Sequence, residues 1–142
     1  MSVTQQLIND LRAKRPRVLI IEDDANDVFL MTRAAEKMGC SVDAATSAEE
    51  AIAKLFKSKL PNTADYNIIF LDLKLPGKSG VDVLREIRLV APELQVVVVT
   101  GMAGSPMVEE AAALGYIGLV QKPLTEENIS EILTKHKLFV KT

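Results

Sequence analysis

Four short stretches of the chain are almost wholly apolar: Val18-Leu19-Ile20-Ile21, Ile68-Ile69-Phe70-Leu71, Val96-Val97-Val98-Val99 and Ile117-Gly118-Leu119-Val120. Each has the length of a strand, and most are rich in β-branched side chains. A strand with one wet face alternates apolar and polar positions, so unbroken apolarity means that both faces are covered. A weaker run over residues 40–44 alternates more and carries Asp43, the pattern of an edge strand.

Between the runs the period changes to that of a helix. Val28, Met31, Ala35 and Met38 recur at helical spacing, and Gly39 stops that helix. Ser47 followed by Glu50 has the spacing of a capping box, with Ala51, Ile52, Leu55 and Phe56 as the apolar stripe behind it. Ser79 and Asp82 open a further helix carrying Val83, Leu84 and Ile87. Ser105-Pro106 sets a cap residue before a proline at the first helical position, Met107, Val108, Ala111 and Leu114 follow, and Gly115 ends the segment. Thr125 starts the last helix, with Ile129, Ile132 and Leu133 turned inward. Five strands alternating with five helices predict an α/β domain with a parallel sheet covered on both faces. Residues 57–67, with Pro61 and Asn62, read as a polar surface loop. Residues 2–15 precede the first strand, and Val3, Leu7 and Leu11 at helical spacing are consistent with one extra helix there.

Composition narrows the function classes. At 142 residues the chain has the length of one domain, with no room for a separate sensor, catalytic or DNA-binding domain beside it. A hydrophobic fraction of 48% and a charged fraction of 25% suit a packed core. A formal net charge of −2 supplies no basic field for nucleic acid. No apolar run approaches the roughly 20 residues that span a bilayer, and residues 1–10 lack the pattern of a signal peptide. The lone Cys40 and the lone His136 make neither an internal disulfide nor a zinc site between them, which leaves a small buried residue and a surface helix residue. A cytoplasmic, reducing location is expected.

The candidate chemistry lies at the ends of the strands, where open parallel sheets bind ligands. Glu22, Asp23 and Asp24 follow the first run, Asp72 follows the run 68–71, Thr100-Gly101 follows the run 96–99, and Lys122-Pro123 follows the last. Clustered carboxylates repel unless a cation joins them. Hard oxygen ligands suit Mg²⁺, which takes one or two carboxylates and leaves room for a phosphate. A remaining carboxylate can then attack phosphorus, with a hydroxyl and a lysine holding the transferred oxygens. Singly, each feature has an ordinary reading. Acids favour helix N-termini, Asp72 sits well as a turn former before Pro76-Gly77, and Thr100 and Lys122 are unexceptional as a strand-end threonine and a surface lysine. The four together, each at a strand end and in this order, favour phosphoryl transfer to an aspartate.

The same segments resemble the receiver domain of two-component response regulators. The matching stretches are 18–24 (VLIIEDD), 69–80 (IFLDLKLPGKSG), 98–101 (VVTG) and 120–124 (VQKPL), and the likeness runs from about Arg17 to Leu138. It implies a doubly wound, flavodoxin-like fold with strand order 2-1-3-4-5 and five helices. It divides the chain into an extension over residues 1–15 and a receiver over 16–140. It implies Asp72 as phosphoacceptor. Glu22 and Asp23 match the acidic pair, Asp23 as the direct Mg²⁺ ligand and Glu22 acting mainly through water. Asp72 itself and the backbone carbonyl of Lys74 complete the metal set. Thr100 matches the hydroxyl that turns towards the phosphoryl group, and Lys122 matches the lysine that pairs with it. Asp24 falls outside the pair and is assigned to helix capping. Two departures stand out: Leu119 occupies the place where the family often has an aromatic switch residue, with Tyr116 the nearest aromatic, and Lys74 puts a flexible cation beside the metal site.

The expected activity is that of a signal receiver. It takes a phosphoryl group from a sensor histidine kinase or a histidine phosphotransfer protein and catalyses only its own aspartyl phosphorylation and dephosphorylation. It signals to a downstream protein or a second copy through the face built from the fourth helix, fifth strand and fifth helix. No direct nucleic-acid or membrane partner is expected. The rival of a different class is a receiver-like interaction module that works without phosphorylation, which Leu119 favours and the intact Asp72, Thr100 and Lys122 oppose. A third is an aspartyl phosphohydrolase of the haloacid dehalogenase type, opposed by Lys74 standing where such enzymes place a second acid.

Overall fold

The computed structural model describes residues 2–13, 15–56 and 66–136. The strands are β1 (Arg17–Ile21), β2 (Ser41–Ala45), β3 (Ile68–Asp72), β4 (Gln95–Thr100) and β5 (Gly118–Gln121). The helices are α1 (Val3–Ala13), α2 (Ala25–Lys37), α3 (Ala48–Leu55), α4 (Gly80–Val90), α5 (Pro106–Leu114) and α6 (Glu126–Lys135). All pairings are parallel, and the sheet order is β2-β1-β3-β4-β5. This is the order that the resemblance implies. The helix count is six rather than five, because residues ahead of β1 form α1. The fourth and fifth helices of the strand-helix alternation are therefore α5 and α6.

Neighbouring residues on each central strand face opposite layers, which is why these runs are apolar throughout. Val18 and Ile20 of β1, Ile68 and Phe70 of β3, and Val97 and Val99 of β4 pack with Met31, Ala34 and Ala35 of α2 and with Ile129 and Leu133 of α6. Leu19, Ile21, Ile69, Leu71, Val96 and Val98 face the other way, towards α3, α4 and α5. β2 is an edge strand with mostly half-buried positions, as its alternation predicted.

The helix signals are met with two differences. Ser47 Oγ accepts from the Glu50 amide at 3.2 Å, but the Glu50 carboxylate does not return the bond to the cap residue. It binds the amide and hydroxyl of Thr46 instead, each at 3.1 Å. Ser105 stands at the N-cap of α5 with Pro106 at the first position, yet its hydroxyl makes no capping bond. At α6 the capping box between Thr125 and Asn128 is complete. Gly39 ends α2 with φ of +87°, a conformation that costs other residues a Cβ clash. Residues 57–65 of the anticipated loop lie outside the described residues. Tyr66 is buried, and its hydroxyl donates to Asp43 Oδ2 at 2.8 Å. Cys40 is buried, as its residue type suggested, whereas His136 is half-buried at the C-cap of α6 rather than on the surface.

In the order 2-1-3-4-5 the strand order, not the strand direction, reverses between β1 and β3, so a crevice opens between their carboxyl ends. Glu22 leaves β1 there with its amide bonded to the Ala45 carbonyl at 3.0 Å, and Asp72 is the last residue of β3.

Candidate functional site

Two of the strand-end residues belong to the strands themselves. Asp72 and Thr100 terminate β3 and β4 inside the ladder, so both are held by sheet hydrogen bonds and buried to about 5% exposure. Lys122 follows β5, and its amide donates to the Thr100 carbonyl at 2.8 Å. The Lys122-Pro123 peptide is cis. A cleft of about 500 Å³ opens over these ends, lined among others by Glu22, Asp23, Asp72, Lys74, Thr100 and Lys122. The residues named in the sequence for metal binding and phosphoryl transfer are therefore brought to one place, whereas Leu119 lies outside the cleft.

Glu22, Asp23 and Asp72 can each offer an oxygen within 4.8 Å of the others. Glu22 is fully buried and Asp23 is exposed at the rim. Asp72 Oδ1 accepts from the Lys74 amide at 3.0 Å, and Asp72 Oδ2 accepts from the Lys122 ammonium at 3.3 Å. The same ammonium donates to Glu22 Oε1 at 2.6 Å and lies 3.1 Å from Asp27 Oδ2. One cation thus serves three carboxylates, two of them buried. Burial, and then the adjoining Asp72 carboxylate, push the Glu22 carboxyl up to about 9, against the opposing pull of Lys122. Burial opposes the charge on Lys122, but hydrogen bonds to Glu22 and Asp27 and the charge of Asp72 outweigh it and hold the ammonium charged well beyond the usual lysine range.

Glu22 Oε2 is buried and has no hydrogen-bond donor among the described residues. A buried carboxylate oxygen without a donor is costly unless a proton or a cation takes the place. The donor set is all oxygen, with two or three carboxylates facing a polar cleft, and it fits a hard divalent cation of the Mg²⁺ type better than a soft metal. Thr100 Oγ1 accepts from the Met102 amide at 3.1 Å, which holds the hydroxyl in the cleft wall. The Lys74 side chain is exposed, and Leu119 packs half-buried against the cluster that faces α3, α4 and α5. Asp24 caps α2, with its carboxylate accepting from the Asp27 amide at 3.0 Å.

Two residues at the site were given no role in the sequence, although Gly80 closes the matching stretch 69–80. Asp27 reads there as an ordinary acid in the first turn of a helix, since nothing in its spacing links it to Lys122. Gly80 opens α4, and its amide donates to the Leu73 carbonyl at 2.9 Å. A Cβ on Gly80 would lie 2.2 Å from the Asp72 carbonyl oxygen and 2.6 Å from Leu73 Cα. A signal for it did exist, because a glycine at the first helical position, directly after a good cap residue, has no reason in helix propensity.

Comparison with known proteins agrees with this geometry. Residues 18–134 match the response regulator receiver domain family. The chain is 30% identical over 120 residues to the chemotaxis protein CheY of Thermotoga maritima, a match covering 84% of this chain and 95% of that protein. It is 27% identical over 131 residues to the transcription factor SKN7 of Chaetomium thermophilum, covering 92% of this chain and 17% of that protein. The crystal structure of a CheY-like response regulator receiver domain protein from Methanospirillum hungatei superposes with a TM-score of 0.76 at 26% identity, covering 88% of this chain and 94% of that one. The chain spans about a quarter or less of several longer curated relatives. Among the described residues, no helix is long and apolar enough to cross a membrane.

Proposed function

Because the chain belongs to the response regulator receiver domain family, we propose that it accepts a phosphoryl group on Asp72 from a phosphohistidine of a sensor kinase or a phosphotransfer protein. The observation that carries this reading is the environment of Asp72. It is a nearly buried carboxylate at a strand end, with two further acidic side chains within 4.8 Å and an ammonium 3.3 Å from Oδ2.

Glu22, Asp23, Asp72 and the Lys74 carbonyl are the residues that would hold Mg²⁺, which when bound would neutralise charge on the carboxylates and on the incoming phosphoryl group. One Asp72 oxygen attacks phosphorus, the P–N bond of the donor breaks, and the imidazole keeps the electron pair. Sheet hydrogen bonds on β3 and the Lys74 amide keep the Asp72 carboxylate oriented for that attack. Lys122 then pairs with a phosphoryl oxygen. Thr100 exchanges its bond from Met102 for donation to another phosphoryl oxygen. Because the Lys122 amide is bonded to the Thr100 carbonyl, both movements reach β5 and so the face formed by α5, β5 and α6. Leu119, half-buried on β5, stands in the path of that coupling in place of an aromatic ring. A downstream protein or a second copy of the chain reads that face.

The experiment is incubation with a radiolabelled small phosphodonor, with and without Mg²⁺. Uptake that needs Mg²⁺ and is released by hydroxylamine is expected. A chain that takes up no label, and shows no saturable Mg²⁺ site sensitive to Asp23→Ala, is instead an interaction module that works without phosphorylation.

A further inference from the structure

Lys122 has one partner more than the phosphoryl-transfer reading uses. Its ammonium lies 2.6 Å from Glu22 Oε1, 3.3 Å from Asp72 Oδ2 and 3.1 Å from Asp27 Oδ2. We propose that Asp27 is a positioning residue that holds Lys122 at the phosphoryl position while Glu22 and Asp72 are engaged elsewhere. The inference rests on the receiver reading above.

The three carboxylates are not equivalent. Glu22 and Asp72 belong to the cluster that can hold a cation, and Asp27 does not. A divalent cation competes with the ammonium for Glu22 and Asp72, because a carboxylate oxygen drawn to a metal is turned from its former donor. Phosphorylation occupies an Asp72 oxygen as well. Through these steps only Asp27 remains as a carboxylate dedicated to Lys122. Its place is set independently of the site. The Asp27 amide is bonded to the Asp24 carboxylate in the cap of α2, which fixes the backbone on the rim of the cleft. The Asp27 and Lys122 side chains are each about one-quarter exposed, so water weakens the pair without dissolving it. Without Asp27 the lysine would settle on Glu22 and Asp72 and obstruct the cation there. The ordinary alternative is an acid favoured by the N-terminal dipole of α2, which needs no Lys122 at all.

A double-mutant cycle separates the two. Mg²⁺ binding is measured by titration calorimetry on the full chain as wild type, Asp27→Ala, Asp27→Asn, Lys122→Met and the two double variants. Asp27→Ala and Asp27→Asn are expected to weaken Mg²⁺ binding by about fivefold or more. In the Lys122→Met background the same changes are expected to matter by less than about twofold. A second readout is the ¹⁵N resonance of the Lys122 ammonium, which persists on Mg²⁺ addition in the wild type and is lost to exchange in Asp27→Ala. Should Asp27→Ala fail to fold, the closely isosteric Asp27→Asn completes the cycle. Binding unchanged by loss of Asp27, or weakened equally with and without Lys122, overturns the proposal while leaving the receiver reading intact. A wild-type chain that neither binds Mg²⁺ nor takes up phosphoryl overturns the receiver reading, and the proposal with it.

Discussion

Gly80→Ala adds one methyl group at the closest backbone approach in the site. The new Cβ would lie 2.2 Å from the Asp72 carbonyl oxygen, 2.6 Å from Leu73 Cα and 3.0 Å from the Asp72 carbonyl carbon. Comfortable carbon contacts begin near 3.5 Å, so α4 must retreat by about 1 Å or the end of β3 must move. Neither responds cheaply, because every atom in the way is backbone. The Gly80 amide bond to the Leu73 carbonyl would stretch with the shift. Overpacking of this kind costs about 1–3 kcal/mol, and alanine returns about 0.5–1 kcal/mol through its better helix propensity. A net loss of about 2 kcal/mol follows when the neighbour is immovable, or about 6 °C in Tm for a domain of this size. Gly101 and Gly104 supply the controls, since a Cβ at either meets nothing within 4 Å. Urea unfolding followed by circular dichroism on the three alanine variants measures the difference. Gly101→Ala and Gly104→Ala are expected within about 0.5 kcal/mol of wild type. Equal stability of Gly80→Ala and the two controls would refute the close-approach reasoning. A stable Gly80→Ala variant that also keeps the wild-type rate of phosphoryl uptake would refute the link from this glycine to the phosphoacceptor.

Three further expectations follow from the contacts. Asp43 carries a carboxyl held below its ordinary range, because bonds from Lys54, Tyr66 and the Ala44 amide outweigh the opposing effect of its burial. A depressed carboxyl stabilises above its unfolded value and loses that contribution as pH falls through the folded one. Asp43→Asn is therefore expected to cost about 1 kcal/mol at pH 7, discounted for exposure, and the gap from wild type should close below about pH 4 in pH-dependent urea titrations. Arg88 donates to the carbonyls of Gly115, Pro92 and Leu94, tying the end of α4 to the turns before β4 and β5. Arg88→Ala should lower stability by about 2 kcal/mol, and Arg88→Lys should restore less than half in the same assay, because an ammonium cannot span those acceptors. Lys122→Met leaves Glu22 Oε1 without its donor. The loss in metal-free protein is expected near 2 kcal/mol by calorimetry, below the 3–5 kcal/mol typical of a broken buried pair, because Lys122 keeps solvent contact and Glu22 takes up a proton.

Much of this was legible in the sequence because burial on both faces leaves an unbroken apolar run, and such a run announces its own end. Asp72 and Thr100 were found that way, although both close the strand rather than follow it. The misplacement by one residue arises because apolarity stops where the ladder still continues. The strand order needed more than periodicity, which predicts a parallel sheet but not who pairs with whom. Contacts between residues distant in the chain left no local trace. Asp27 shows the periodicity of a helix and nothing of Lys122. Asp43 marks an edge strand, but its bond to Tyr66 joins a residue in a stretch that read as loop. Glu50 gives the spacing of a capping box, yet its carboxylate reaches Thr46, because a long side chain has more than one donor within range at a helix start. Gly80 alone had a local clue, a glycine where propensity asks for none.

The central claim is that Asp72 is the phosphoacceptor, and identifying the modified residue tests it most directly. The chain is incubated with a small phosphodonor and Mg²⁺, reduced with borohydride, which converts an aspartyl phosphate to homoserine, and digested for peptide sequencing by mass spectrometry. Homoserine at position 72 in the wild type, and none anywhere in Asp72→Asn, is the expected result. Unmodified Asp72 in the treated wild type, or homoserine at another aspartate to the same extent in both proteins, would contradict it.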